Sequence, residues 1–335
     1  MGDFLDWKLF HENLAPLYES YVELAAFLTM LLLAAVAMAV WKRRQTVRRI
    51  VQAASLFVFF FVVSSCLGVF GLIRNFYFGL TELGKDDLRA FYHMGLAGVV
   101  FGLAFCLGPI FCGWICPTGA VQEWLGALRT GGKARNRPVR RRWWALAASA
   151  ALVAAFLIAV ERAFSSRRPM LEDSAVLWAG ALVVVTLFVV IRPEADRRLK
   201  ALRYLSLALI VGFCIAGVTV TSPVHFVFTN VHDWASLLST LVIMGAALLV
   251  SRTWCRYLCP LGALLGTINR CSLTRIERRP TCTECGACEE VCTTATISRG
   301  QVEPTACTMC LACVDACPEK ALVVRRAGEA LASEA

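Results

Sequence analysis

Charge and histidine are both scarce in this chain. Only 17% of its 335 residues are Asp, Glu, Lys or Arg, and the histidines number four: His11, His93, His225 and His232. With 58% hydrophobic residues and a mean hydropathy of +0.63, the composition is too apolar for a soluble α/β protein of this size. The motifs of hydrolytic and phosphate chemistry are missing as well. There is no Gly-rich phosphate loop, no Gly-x-Ser-x-Gly elbow and no His-Glu-x-x-His run. What the chain does have is cysteine.

Twelve of its sixteen cysteines fall into four short groups. Two of these are the tandem runs Cys282-x2-Cys285-x2-Cys288-x3-Cys292 and Cys307-x2-Cys310-x2-Cys313-x3-Cys317-Pro318. A cubane needs four thiolates at the corners of a small tetrahedron, and in two-cluster ferredoxins the last cysteine of each run serves the other cluster. The spacing therefore assigns one [4Fe–4S] cluster to Cys282, Cys285, Cys288 and Cys317. It assigns the second to Cys307, Cys310, Cys313 and Cys292. Zinc ribbons use cysteine pairs rather than runs of four, and disulfides need an oxidising compartment. Thr293 stands where many ferredoxins carry proline, a position that shapes backbone and ligates nothing.

Seven apolar runs of about twenty residues, the length that crosses roughly 30 Å of hydrocarbon, occur near 21–41, 51–73, 92–111, 143–160, 174–191, 204–222 and 235–253. Net charge is +10, and the basic residues cluster in alternate loops: Lys42 to Arg49, Arg129 to Arg142, and Arg192 to Arg203. By the positive-inside rule these loops are cytoplasmic, so the N-terminus is expected outside and the C-terminus inside a bacterial cytoplasmic membrane. The tract 133–142 reads as a topology determinant facing anionic lipid rather than as a nucleic-acid site. No cleavable signal peptide is evident. The expected fold is an all-α polytopic membrane domain of about seven transmembrane helices plus a small α+β bacterial-type 2[4Fe–4S] ferredoxin module. The expected division is an outer segment 1–20, a membrane domain 21–260, a connector 261–280, a ferredoxin-like domain 281–325 and a tail 326–335. Val323 and Val324 are candidates for strand pairing.

The other two cysteine groups form an internal repeat. Phe111-Cys112-Gly-Trp-Ile-Cys116-Pro117-Thr-Gly119-Ala120 parallels Trp254-Cys255-Arg-Tyr-Leu-Cys259-Pro260-Leu-Gly262-Ala263. Cysteines at i and i+4 share one face of a helical turn, and the following proline interrupts regular hydrogen bonding. Cys112, Cys116, Cys255 and Cys259 are thus candidates for a third metal or iron–sulfur centre. A redox-active dithiol and reduced thiols packing helix ends are the other readings. An apolar stripe Val121, Trp124, Leu125, Leu128 predicts a helix after the first copy, stopped by Gly131 and Gly132. Cys66, Cys106, Cys214 and Cys271 stand alone and read as packing residues.

At these motifs the chain resembles the NapH/NosR-type membrane-bound polyferredoxins, over about residues 50–320. The resemblance rests on the two Cys-x3-Cys-Pro copies followed by the two ferredoxin runs, in that order. It implies electron transfer between the membrane quinol pool, or a cytoplasmic donor, and a partner reductase or its maturation machinery. The implied partners are membrane lipid and a redox protein such as a reductase, flavoprotein or ferredoxin subunit. Thr118-Gly119-Ala120-Val121 lacks the hydroxyl residue of a flavin attachment site, so a flavin belongs to a partner. No catalytic residue is assigned, and the chain reads as an electron-transfer subunit. A quinol dehydrogenase in its own right and a metalloenzyme maturation factor are the alternatives. His93, His225 and His232 are candidates for a quinol or haem site, against the ordinary role of interfacial anchors.

Overall fold

The computed structural model describes residues 44–61, 69–81, 88–130, 171–217, 222–224 and 234–327, with helical positions between 25 and 38. The N-terminal segment 1–20, the expected span 143–160, the tract 133–142, His11, Cys66, His225, His232 and residues 328–335 lie outside the described residues.

The apolar runs form helices whose ends follow local chemistry. The run expected at 51–73 is shared by two elements, α1 (Arg44–Phe61) and α2 (Val69–Thr81). Helix α3 (Leu88–Leu107) stops where Gly108 takes φ 78 and Pro109 cannot continue the hydrogen bonding. Helix α4 (Pro117–Thr130) is the predicted amphipathic one. Helix α5 (Leu171–Ile191) leads through Pro193 into the short α6 (Asp196–Leu199) and then α7 (Leu202–Ile215). Helix α8 (Trp234–Leu249) ends before the expected 253, because Arg252 adopts left-handed φ 54 and a separate α9 (Thr253–Tyr257) begins. Among the described residues no single helix is long and apolar enough to cross a membrane. Ala175–Ile191 and Pro193–Ile215 qualify together, as a pair bent by 120°.

The helices pack α5 on α8, α2 on α3, and α4 on α8. Trp114, Trp254, Tyr257, Phe59 and Phe111 are fully buried between them. Trp254 meets Trp178 edge-on at 6.2 Å, and Phe70 lies 5.8 Å from Trp178 and 6.4 Å from Trp254. Such aromatic pairs add about 0.5–1.5 kcal/mol each beyond their burial. They anchor the second Cys-x3-Cys-Pro motif in the helical core.

The stretch expected to be a connector, 261–280, is structured. Helix α10 (Pro260–Arg270) runs into strand β1 (Thr274–Arg278). The module then carries α11 (Ala287–Val291), the hairpin β2 (Ile297–Ser298) with β3 (Gln301–Val302), α12 (Ala312–Ala316) and β4 (Leu322–Arg326). β4 pairs antiparallel with β1, Ile276 opposite Val324 and Arg278 opposite Leu322. The Val323–Val324 strand needs a partner for its backbone groups, and Thr274–Arg278, within the expected connector, is that partner. Leu273 N–H donates to Phe105 O at 2.8 Å and the Thr274 hydroxyl to Cys106 O at 2.7 Å, which ties β1 to the end of α3.

Candidate metal centres

The two cysteine runs fold as near copies. Left-handed backbone recurs at matched positions: Glu284 (φ 56) and Met309 (φ 50), Gly286 (φ 80) and Leu311 (φ 61), Ala295 (φ 49) and Lys320 (φ 48). Non-glycine residues rarely adopt this conformation, and here it turns amide N–H groups toward the interior of each loop. Met309 N–H points at Cys307 Sγ (3.4 Å), Thr296 N–H at Cys292 Sγ (3.4 Å) and Ala321 N–H at Cys317 Sγ (3.3 Å). Donors aimed at sulfur favour the thiolate. Cys282, Cys285 and Cys288 line one cavity together with Cys317 of the second run. Conversely, burial pushes the Cys307 thiol up to about 12, with Cys310 and Cys292 close enough to add to the effect. Cys313 is raised in the same way, by burial first and then by Cys310, Cys307 and Cys292.

The Cys-x3-Cys-Pro copies also match in detail. Cys116 N–H donates to Phe111 O (2.7 Å) and Cys259 N–H to Trp254 O (2.9 Å), a widened turn at equivalent positions. Pro117 and Pro260 then open α4 and α10, the helix position where a missing N–H costs nothing. Both turns deliver their cysteines to one cavity, which Cys112, Cys116, Cys255 and Cys259 line together with Cys307 of the ferredoxin module. Cys116 and Cys259 are buried, and Cys112 and Cys255 are partly so. Burial raises the Cys116 thiol to about 12 and pushes the other three upward too. Burial thus favours the neutral thiol at each position, and a bound cationic centre would offset the cost of the thiolates.

Against this site lies a charge network that the sequence did not disclose. Arg48 grips Glu123 with both terminal nitrogens (2.9 and 2.5 Å) and donates to Gly113 O at 3.1 Å. Arg252 donates to Glu123 at 2.6 Å and to Cys112 O at 3.0 Å. Arg256 and Lys200 converge on Asp196 (2.6 and 3.6 Å), which also accepts from the Tyr257 hydroxyl. Arg48, Lys200 and Arg203 had been counted with the basic loops; the structure buries all three. The carboxylate partner of Arg48 lies 75 residues away at Glu123, and only the fold brings the two together, whereas Lys200 meets Asp196 four positions back. A charged residue such as Glu123 inside the apolar stripe of α4 was the one signal available.

The module docks by close backbone approach. A Cβ on Gly113 would collide with Thr308 O, and one on Gly266 with Thr305 O. The Asn269 amide donates to Pro304 O (2.7 Å), Gln45 to Cys310 O (3.0 Å) and the Trp114 indole to Met309 O (3.0 Å). Of the isolated cysteines, Cys214 is buried as expected, whereas Cys106 and Cys271 are exposed, sitting at the ends of α3 and α10 where the helices leave the core. His93 lies on α3.

Among the described residues no three His, Cys, Asp or Glu side chains gather closely enough to hold a single metal ion. Thiolates of a four-iron cubane sit on separate irons, so four cysteines around an open space suit the larger group. Sulfur-directed amides and nearby guanidinium groups fit it too.

A family model described as a 4Fe-4S binding domain matches residues 91–137 and 233–279, the two Cys-x3-Cys-Pro repeats; a second of the same description matches 301–323. The chain therefore carries 4Fe-4S binding domains of the ferredoxin type. The resemblance read from its cysteine motifs holds, for it is a relative of the ferredoxin-type proteins NapH and MauN and of NirI. Protein NirI of Paracoccus denitrificans is 32% identical over 222 residues, covering 65% of this chain and 26% of NirI. The methylamine utilization ferredoxin-type protein MauN of Methylorubrum extorquens is 30% identical over 238 residues, 67% of this chain and 64% of MauN. The ferredoxin-type protein NapH of Haemophilus influenzae is 25% identical over 239 residues, 68% of this chain and 66% of NapH. The chain thus spans about a quarter of NirI. No solved structure matches.

Proposed function

We propose that this chain is a membrane-anchored iron–sulfur protein that relays single electrons between the quinol pool, or a cytoplasmic donor, and a partner reductase. In this reading Cys282, Cys285, Cys288 and Cys317 hold one [4Fe–4S] cluster, and Cys307, Cys310, Cys313 and Cys292 hold another. Cys112, Cys116, Cys255 and Cys259 hold a third centre. When bound, such clusters supply one-electron redox chemistry. The protein's own part is to hold the thiolates, aim amide N–H groups at sulfur and keep water away with Trp114, Trp254 and Ile115, all fully buried.

The observation that carries the reading is the shared cavity, in which Cys307 faces the four motif cysteines. In this reading it lets electrons pass between the module and the helical domain. The membrane anchor is supported by side chains that project outward from the helices: Ile50, Phe57, Leu177, Val184, Ile191, Leu205 and Ile215 are all more than half exposed. Helices apolar on every side belong in a large core or in lipid. The proposed orientation keeps the module on the cytoplasmic side.

Anaerobic reconstitution of the full chain followed by iron counting and EPR after dithionite tests the assignment. About twelve irons per chain are expected, falling to about eight in Cys112→Ser or Cys255→Ser with the module's spectrum kept. An unchanged count in both variants would return these cysteines to the status of thiols. Reduction of the bound clusters by a soluble quinol tests the quinol end of the relay.

A further inference from the structure

Among the described residues, five cations are buried and one carboxylate: Arg48, Lys200, Arg203, Arg252 and Arg256 against Glu123. Glu123 serves Arg48 and Arg252. Asp196, whose side chain is 21% exposed, serves Arg256 and Lys200. That leaves Arg203. Its residue is 3% exposed, its Nε has no hydrogen-bond partner, and no described carboxylate pairs with it. Among the described residues its guanidinium hydrogen-bonds its neighbour Tyr204 at 3.4 Å and lies 5.1 Å over that ring. Arg203 and Arg256 nevertheless line the cavity of Cys112, Cys116, Cys255 and Cys259.

A buried guanidinium without a counter-charge is expensive, and folding retains it only where an anion compensates. Four neutral thiols do not, and neither does a pair of disulfides. A metal centre held by four thiolates does, because the ligand charge exceeds that of its metal core. We infer that Arg203 is the counter-charge of the Cys-x3-Cys-Pro centre and sets its reduction potential, acting through space as a positioning cation rather than as a ligand. The inference rests on the third-centre reading above. It also explains why a residue outside every cysteine motif is turned inward from the first turn of α7. Reduction adds one electron to an already anionic centre, and a fixed cation nearby makes that step easier. Removing the cation lowers the potential.

The test uses the full chain reconstituted anaerobically, with Arg203→Gln and Arg203→Lys compared by iron count and potentiometric EPR titration. Arg203→Gln is expected to move the third centre to a lower midpoint potential, or to lose that centre alone. Arg203→Lys should stay near the parent, and the module's two clusters should titrate as before in both variants. A third centre at full iron with an unshifted potential in Arg203→Gln would overturn the inference. Equal loss of the centre in both variants would also do so, since shape rather than charge would then be at work. Failure of the third-centre reading itself is distinguishable: Cys112→Ser would leave the parent's iron unchanged.

Discussion

The indole of Trp114 donates to the carbonyl of Met309 at 3.0 Å, with both residues almost wholly buried. Trp114 lies inside the first Cys-x3-Cys-Pro motif, and Met309 lies between the first two cysteines of the second ferredoxin run. One hydrogen bond thus joins two cysteine sites separated by 195 positions in sequence. The module is fixed against the helical domain by its cysteine loop.

Gly266→Ala is expected to weaken this seat. The new methyl would run into Thr305 O, a backbone atom that cannot swing aside, and overpacking of this kind costs about 1–3 kcal/mol. Denaturant titration of the reconstituted protein should show the midpoint falling, with the module's clusters released earlier than in the parent. Gly113→Ala, against Thr308 O, should behave alike.

Glu123→Gln should be more damaging. It leaves Arg48 and Arg252, each 1% exposed or less at the side chain, sharing a neutral amide. Breaking one side of a buried ion pair costs about 3–5 kcal/mol. The expected result is a large loss of folded protein. A paired replacement of Glu123 and Arg48 by apolar residues should recover part of it, because the orphaned charge is gone.

The crossed cysteine assignment gives a clean distinction. Cys317→Ser should remove the cluster of Cys282, Cys285 and Cys288, while Cys292→Ser removes that of Cys307, Cys310 and Cys313. EPR of the two variants should lose different signals. Loss of the Cys307 cluster in Cys317→Ser would show that the runs are uncrossed.

Acid should loosen the α6–α9 contact. Burial opposes ionisation of Asp196, yet Arg256 and Lys200, with the Tyr257 hydroxyl, hold its carboxyl below the ordinary range. A carboxyl depressed in the folded state stabilises above its unfolded value of about 3.9, and that contribution is lost as pH falls through the folded value. Asp196→Asn should therefore be less stable at neutral pH and show a flatter stability profile below about pH 4. Denaturation at a series of pH values checks both.

The cysteine framework was legible because ligand spacing is local: each run of four fixes its loop, and the matched left-handed positions at Glu284 and Met309 follow from that repeat. The pairing of Val323 with a partner strand was half legible, since its alternation is local but Glu277, its neighbour across the sheet, looked like part of a linker. Arg48 and Arg203 were misplaced among the basic loops. Charge counts over a loop carry no information about which guanidinium turns inward, and their surroundings come from distant segments.

By itself, the order of residues determined the cysteines, their spacing and their division into two tandem runs and two Cys-x3-Cys-Pro copies, because each is set by bonds within a few positions of chain. Packing alone decided that the four motif cysteines open on one space beside Cys307, that two glycines let the module's backbone approach the helices, and that the buried Arg203 and Arg256 line that space. Those properties depend on groups brought together across long loops, and burial gives their charges a strength that a list of residues does not reveal.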